Sequence, residues 1–227
     1  MCGRYYRRSD KQRLAEAFRL GDLPDDFVLP EWDYNVAPTT FQPVIREHRE
    51  THERELVLMR WGLVPYFTRQ LSDVKGVSTI NARAESVATN PTWRAPFAKR
   101  RCLVPADGFY EWKKLDVKTK QPYSFTLRQG GPFAFAGLWD AWKDAAGEWL
   151  LSFSIVTTEA NELMSPVHDR MPVILQPKDY SRWLKREPDR PPIDLLRPYD
   201  SEAMEASACN PMVGNVKNNG PELLNSA

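Results

Sequence analysis

Prolines interrupt this chain at nineteen positions in 227 residues, against eleven glycines, and no other feature restricts its fold so much. A ring that locks φ and removes a backbone donor ends a helix and is excluded from the middle of a sheet. Long helices are ruled out, and the chain must be assembled from short elements with stiffened connections. Its apolar runs agree: Pro43 to Arg46, Glu55 to Trp61, Arg101 to Pro105, Tyr123 to Leu127, Phe133 to Trp139, Leu151 to Thr157 and Met171 to Leu175 have the length and composition of strands. Ser9-Asp10-Lys11-Gln12 has the pattern of a capping box and predicts a helix to about Leu20, stopped by Gly21. Lys178 to Lys185 and Ile193 to Leu196 predict two shorter helices. Charged stretches at His48 to Arg54, Val117 to Gln121 and Arg186 to Arg190 read as surface loops, not domain linkers. The expectation is one α+β, β-rich domain over residues 1–227.

Composition narrows the function classes less. Lys and Arg number 31 against 30 Asp and Glu, a formal net charge of +1, so a polyanionic partner would have to meet a local basic patch. No stretch approaches the roughly 20 apolar residues that cross a bilayer. Arg4, Arg7 and Arg8 stand where a secretory leader would be apolar, so a cytoplasmic protein is expected. Cys2, Cys102 and Cys209 are odd in number and far apart, with no C-x-x-C pair. That pattern argues against a disulfide framework and a structural zinc site, and calls for no metal or cofactor.

Cys2 holds the most chemistry for its position. An initiator methionine before a small residue is normally removed, leaving a thiol and an α-amine on adjacent carbons. With the amine pKa at about 8 and the thiol at about 8.5, a useful fraction of each is nucleophilic at neutral pH. Such a 1,2-aminothiol traps aldehydes: the amine gives a Schiff base, and the thiolate closes on the imine carbon to form a thiazolidine. By position alone the bland reading, a second residue in a frayed terminus, is favoured. Context must decide.

Four polar segments supply it. Asn81 and Arg83, two apart on an extended run, project to one face, where one could orient a nucleophile and the other bind an anion; a turn Asn and a solvated Arg are the bland alternative. Arg100 to Trp112 runs from an apolar strand through an Asp107-Gly108 turn to Glu111 between Tyr110 and Trp112, a setting that raises a carboxyl's pKa and suits proton transfer, although a structural Glu fits equally. Cys102 there reads as a core thiol. His168 precedes Arg170 and an apolar strand, as a proton shuttle or a loop cap. Val213 to Gly220 reads as a tight polar loop that shapes a site or binds backbone. Basic residues gather at Met1 to Leu20 and at Arg94 to Lys114, the segments that also hold Cys2 and Glu111.

In order, MCGR at 1–4, YNVAP at 34–38, RWGLVP at 60–65, INARAE at 80–85, RRCLVPADGFYEW at 100–112, FAGLW at 135–139, HDRMPVIL at 168–175 and VGNVKNN at 213–219 resemble the SOS response-associated peptidase (SRAP) family, whose members shield abasic sites in single-stranded DNA. The resemblance implies a distorted antiparallel barrel flanked by short helices, with a basic groove for single-stranded DNA and the mature N-terminus at its floor. It implies a thiazolidine between Cys2 and the abasic-site aldehyde, with Asn81 positioning the amino-terminal end. Glu111 would act as general acid and base in sugar ring opening and crosslink reversal, and His168 would assist proton transfer. Arg4, Arg83 and Arg170 would contact phosphates, and Pro38, Trp61, Phe67 and Trp112 would shape or stack in the groove. The stretch after RWGLVP reads Tyr66-Phe67-Thr68 where some relatives carry tryptophans, which weakens the stacking role of Phe67. The resemblance further implies a short, bacterial-type, monomeric, nucleoid-associated member. Two rivals stay open: a thiol peptidase built from Cys2, His168 and Asn81, with removal of Met1 as its minimal act, and a non-catalytic single-strand binder for which Cys2 is dispensable.

Overall fold

The computed structural model describes residues 2–21, 28–29, 32–74 and 79–226. In chain order, the strands begin with β1 (Tyr5–Arg7), β2 (Asp33–Val36), β3 (Phe41–Glu47), β4 (Arg54–Trp61) and β5 (Asn81–Arg83). Next come β6 (Arg101–Ala106), β7 (Gly108–Lys114), β8 (Lys120–Leu127), β9 (Phe133–Lys143) and β10 (Trp149–Glu159). The set ends with β11 (Arg170–Pro172), β12 (Ile174–Leu175) and β13 (Met204–Ala208). Three α-helices accompany them, α1 (Lys11–Phe18), α2 (Arg94–Lys99) and α3 (Tyr180–Leu184). None exceeds 8 residues, as the prolines require.

Strands β10, β4, β3, β6 and β9 close on themselves, because β9 pairs with β10 as well as with β6. An odd ring of strands cannot alternate direction all the way round, so one parallel contact is a geometric necessity. It falls between β4 and β10, with Ser152 opposite Arg60 and Phe153 opposite Trp61. The remaining contacts around the ring are antiparallel. This is the expected β-rich, barrel-like core with short helices around it.

A second, antiparallel sheet in the order β13-β8-β7-β1-β2 packs on the barrel. Tyr5 meets Trp61 and Phe135 edge-on at 5.2 and 5.8 Å, and Phe109 meets Phe135 at 5.8 Å, so both layers share one core. Elsewhere α1 and α3 stack Phe18 on Tyr180 at 5.4 Å, and α2 meets α3 through Phe97 and Trp183 at 6.2 Å.

The passage from barrel to second sheet is a single residue. Asp107 alone separates β6 from β7, so the expected Asp-Gly turn is a corner between sheets and not a hairpin. Its buried carboxylate accepts from the Arg8 and Ser9 backbone N–H groups at 2.8 and 2.9 Å and from the Ser9 hydroxyl at 2.7 Å. Gly108 lies beneath the Tyr6 ring, where a Cβ would come within 2.2 Å of the tyrosine oxygen. This corner corrects the helix start as well: with Ser9 engaged by Asp107, Asp10 is the cap and accepts from Arg13 N–H at 2.8 Å. Arg19 then ends α1 in the left-handed conformation, ahead of Gly21. The run from Met171 to Leu175 divides in two, because Val173 bonds both Val156 and Ala136 and hands the chain from β10 to β9.

Candidate functional site

Strand pairing carries Cys2 to Glu111. Tyr5 opposes Phe109 and Tyr6 opposes Gly108, and Tyr110 N–H donates to the Arg4 carbonyl at 3.0 Å, so the amino-terminal segment runs antiparallel to the strand bearing Glu111. Asn81 enters from β5, which lies parallel to β10 with Asn81 beside Ile155. Its side-chain NH₂ donates to the Cys2 carbonyl at 2.8 Å, while its buried Oδ1 has no hydrogen-bond partner among the described residues. His168 follows a turn and stands two residues before the β11 arginine that pairs with Glu159 of β10. Cys2, Asn81, Glu111 and His168, 30 to 166 positions apart in sequence, are thus brought to one region of the fold.

The surroundings set the protonation states. Cys2 and Glu111 are buried. Burial, opposed by the nearby amino-terminal charge, pushes the Glu111 carboxyl up to about 7. Burial raises the Cys2 thiol well above its ordinary range, and the Glu111 charge adds to this. The expected ready supply of thiolate is therefore corrected: burial favours the neutral thiol, with the amino-terminal charge and the Arg4 backbone opposing. His168 is lowered by burial and by the amino-terminal charge, with the Asp169 carboxylate opposing. Its Nδ1 accepts from Arg170 N–H at 3.0 Å, which places the proton of the neutral ring on Nε2. The Asp169 carboxylate, 2.9 Å from the same Nδ1, favours the imidazolium instead; burial wins, and the neutral ring is the resting form.

The expected DNA contacts divide. Arg83 is exposed. Arg4 is half-buried and donates to Asn35 Oδ1 at 2.7 Å and Val213 O at 3.0 Å, with its guanidinium 5.8 Å from the centre of the half-buried Trp112. Arg170 forms a two-pronged pair with Glu85 at 2.6 and 3.0 Å and also donates to Thr157 O. Both arginines therefore brace the site as they stand. Trp61 is fully buried and cannot stack on a base. Its indole N–H donates to Ile80 O at 3.0 Å, which steadies the residue next to Asn81. Pro38 is half-buried on a turn clasped to Trp61 through Thr39 N–H at 2.8 Å. Phe67 is 55% exposed, edge-on to Tyr66 at 5.3 Å.

The polar loop from Val213 acquires a role that its sequence did not disclose. Asn35 donates to the carbonyls of Val213, Asn215 and Asn218 at 3.2, 3.0 and 2.8 Å, and its own oxygen receives Arg4. One side chain thus ties the carboxy-terminal loop to the strand leading out of Cys2. Its signal was an Asn inside an otherwise strand-like YNVAP, a polar residue with no reason to be there unless bonded. Asp169 was overlooked as well, although it adjoins the candidate histidine. Among the described residues no group of His, Cys, Asp and Glu is placed to hold a metal ion, and no helix is long and apolar enough to cross a membrane. Met1 lies outside the described residues.

The family model for the SOS response associated peptidase matches residues 1–216. Abasic site processing protein YoqW of Bacillus subtilis is 40% identical over 232 residues, covering 100% of both chains. Abasic site processing protein HMCES of Mus musculus is 31% identical over 99% of this chain and 75% of its own length. A crystallised protein from Bacteroides thetaiotaomicron superposes with a TM-score of 0.85 at 28% identity, covering 100% of both chains. With a family model spanning nearly all of it and full-length relatives at this identity, the chain belongs to the SRAP family.

Proposed function

We propose that this chain processes abasic sites in single-stranded DNA by forming a thiazolidine crosslink through Cys2 once Met1 has been removed. The observation that carries this reading is the convergence of Cys2, Asn81 and a carboxyl protonated near neutrality on one buried end of the barrel. The names of the relatives, abasic site processing proteins, give the substrate class.

An abasic sugar is mostly a closed hemiacetal. Glu111 gives its proton to the ring oxygen while neutral His168 takes the proton of the C1′ hydroxyl, to be returned when water leaves in the next step, and the ring opens to an aldehyde and a free hydroxyl. The Cys2 amine, received by the Asn81 amide whose Oδ1 is otherwise unpartnered, adds to C1′ and expels water, giving an iminium. That positive charge beside Cys2 counteracts the burial that held the thiol neutral. The thiol passes its proton to Glu111 or His168, and sulfur closes on C1′. The balance is one water lost, with carbon–nitrogen and carbon–sulfur bonds formed. Without sulfur, the iminium proceeds to β-elimination and the strand is cut.

Against the peptidase alternative stands the use of Asn81, which holds the Cys2 carbonyl and not the imidazole, while Nδ1 of His168 is occupied by the Arg170 N–H and the Asp169 carboxylate. The test is an abasic oligonucleotide with wild-type protein and Cys2→Ala, followed by intact mass and a heat-stable adduct assay. Wild type is expected to gain the oligonucleotide mass less one water and to begin at Cys2. Cys2→Ala should lose the stable adduct and cut the strand slowly; a heat-stable adduct on that variant would overturn the reading.

A further inference from the structure

Away from Cys2, the turn between β3 and β4, the end of α2 and the segment after α3 enclose a cleft of about 490 Å³. It carries five cationic side chains, Arg46, Arg49, Lys99, Arg100 and Arg186, against the two carboxylates Glu47 and Glu55. The whole chain has a formal net charge of +1, so this cleft alone is more positive than the molecule. An adjoining cleft of about 410 Å³ shares Glu47 and Arg186 with it and adds Arg54 and Lys185.

The cations differ in how they are held. Arg49, Lys99 and Arg186 are exposed and have no ion-pair or hydrogen-bond partner among the described residues. They come from three segments far apart in sequence, so the fold, and not a run of like charge, collects them. Arg46, which lines the cleft, lies over the Trp139 ring at 4.7 Å and is anchored by Glu55 through Nε at 2.6 Å, and neither of its terminal nitrogens has a hydrogen bond among the described residues. A guanidinium clamped at Nε and stacked on indole is preorganised for a phosphate oxygen. Trp139 is 8% exposed under that cover, so no aromatic face is offered to a base.

We infer that this two-part cleft is a second nucleic-acid contact that grips the phosphodiester backbone of the strand beyond the lesion, without reading sequence. The inference rests on the proposed DNA substrate. A free phosphate or nucleotide has the same chemistry, but two connected clefts and cations drawn from three segments fit a repeating anion better than a single one. The residues here are separate from those placed around Cys2, so grip and chemistry are separable by mutation.

The experiment uses the whole protein, an abasic oligonucleotide of about 7 nucleotides and one of about 30, and the triple variant Arg49→Glu, Lys99→Glu, Arg186→Glu. Wild type should bind the longer strand more tightly. The variant should lose about tenfold or more of that affinity at moderate salt and reduce the slope of log affinity against log salt by about 2, since single strands lose about 0.7 per phosphate contact. Its crosslinking rate on the short strand should stay unchanged. An unchanged length advantage in the variant overturns the inference even if the short strand reacts normally, whereas failure of the short strand with wild type overturns the Cys2 reading instead. As a readout independent of mutation, undamaged single-stranded DNA should protect Lys99 from acetylation in wild type. Protection by tripolyphosphate but not by DNA would assign the cleft to a free phosphate and overturn the proposal.

Discussion

Glu111 holds a carboxyl where its charged form is disfavoured, and this has a thermodynamic sign. Its folded value of about 7 lies above the unfolded value of about 4.3, so between those limits the folded chain keeps a proton that the unfolded chain releases. Stability from this residue therefore falls as pH rises through that window and levels off above it. Glu111→Gln should be more stable than wild type at pH 8, by about 3–4 kcal/mol, and nearly equal to it at pH 4. Urea unfolding at the two pH values checks this; a glutamine variant no more stable at pH 8 would show that the carboxyl is not strained. The same variant should crosslink abasic DNA far more slowly, and the wild-type rate should decline above pH 7 as the acid form is lost.

At the level of elements, the site is positioned by two polar anchors remote from the reacting atoms. Asp107 turns the chain from β6 into β7, so it decides where Glu111 falls relative to Cys2. Asp107→Ala strands two backbone N–H groups and a hydroxyl at a buried corner and should cost about 2–4 kcal/mol, read as a drop in urea midpoint. Asn35 ties β2, the carboxy-terminal loop and Arg4 together. Asn35→Ala should destabilise by about 2–3 kcal/mol and should also slow crosslinking, because Arg4 lies two residues from Cys2. Amide exchange should quicken around Val213 to Asn218 while the β9–β10 pairing stays protected. Uniform loosening would contradict a local anchor.

For the molecule as a whole, the barrel must close at a diameter that five strands allow. Gly137 sits opposite Cys102 on the β6–β9 seam, where an added Cβ would stand 2.7 Å from the Cys102 sulfur and 2.8 Å from Val104 Cγ2. Gly137→Ala is expected to cost about 1–3 kcal/mol by overpacking. Adding Cys102→Ala makes room, so the double variant should be more stable than the sum of the single losses, as a double-mutant cycle in urea would show. Simple additivity would mean that the seam adjusts elsewhere. Because Cys2, Trp61, Cys102 and Phe135 belong to one core, strain at this seam is felt at the floor of the site.

Reading the chain alone determined what depends on local pattern. Prolines forbade long helices, period and composition located the long barrel strands, and Cys2 with Asn81, Glu111 and His168 stood out by side-chain chemistry and motif order. Short elements escaped notice, because Tyr5–Arg7 and the polar Met204–Ala208 become strands only through partners supplied from elsewhere in the chain. Only the tertiary structure could separate Arg83, which faces solvent, from Arg101, whose guanidinium is buried against the carbonyls of Phe97, Ala98, Trp183 and Lys185. It alone withheld Trp61 from base stacking, kept the Cys2 thiol protonated and gathered Arg49, Lys99 and Arg186 into one cleft. The physical reason is common to all of these: a charge, a proton or an aromatic face acts according to what surrounds it, and those surroundings are assembled from residues remote in sequence.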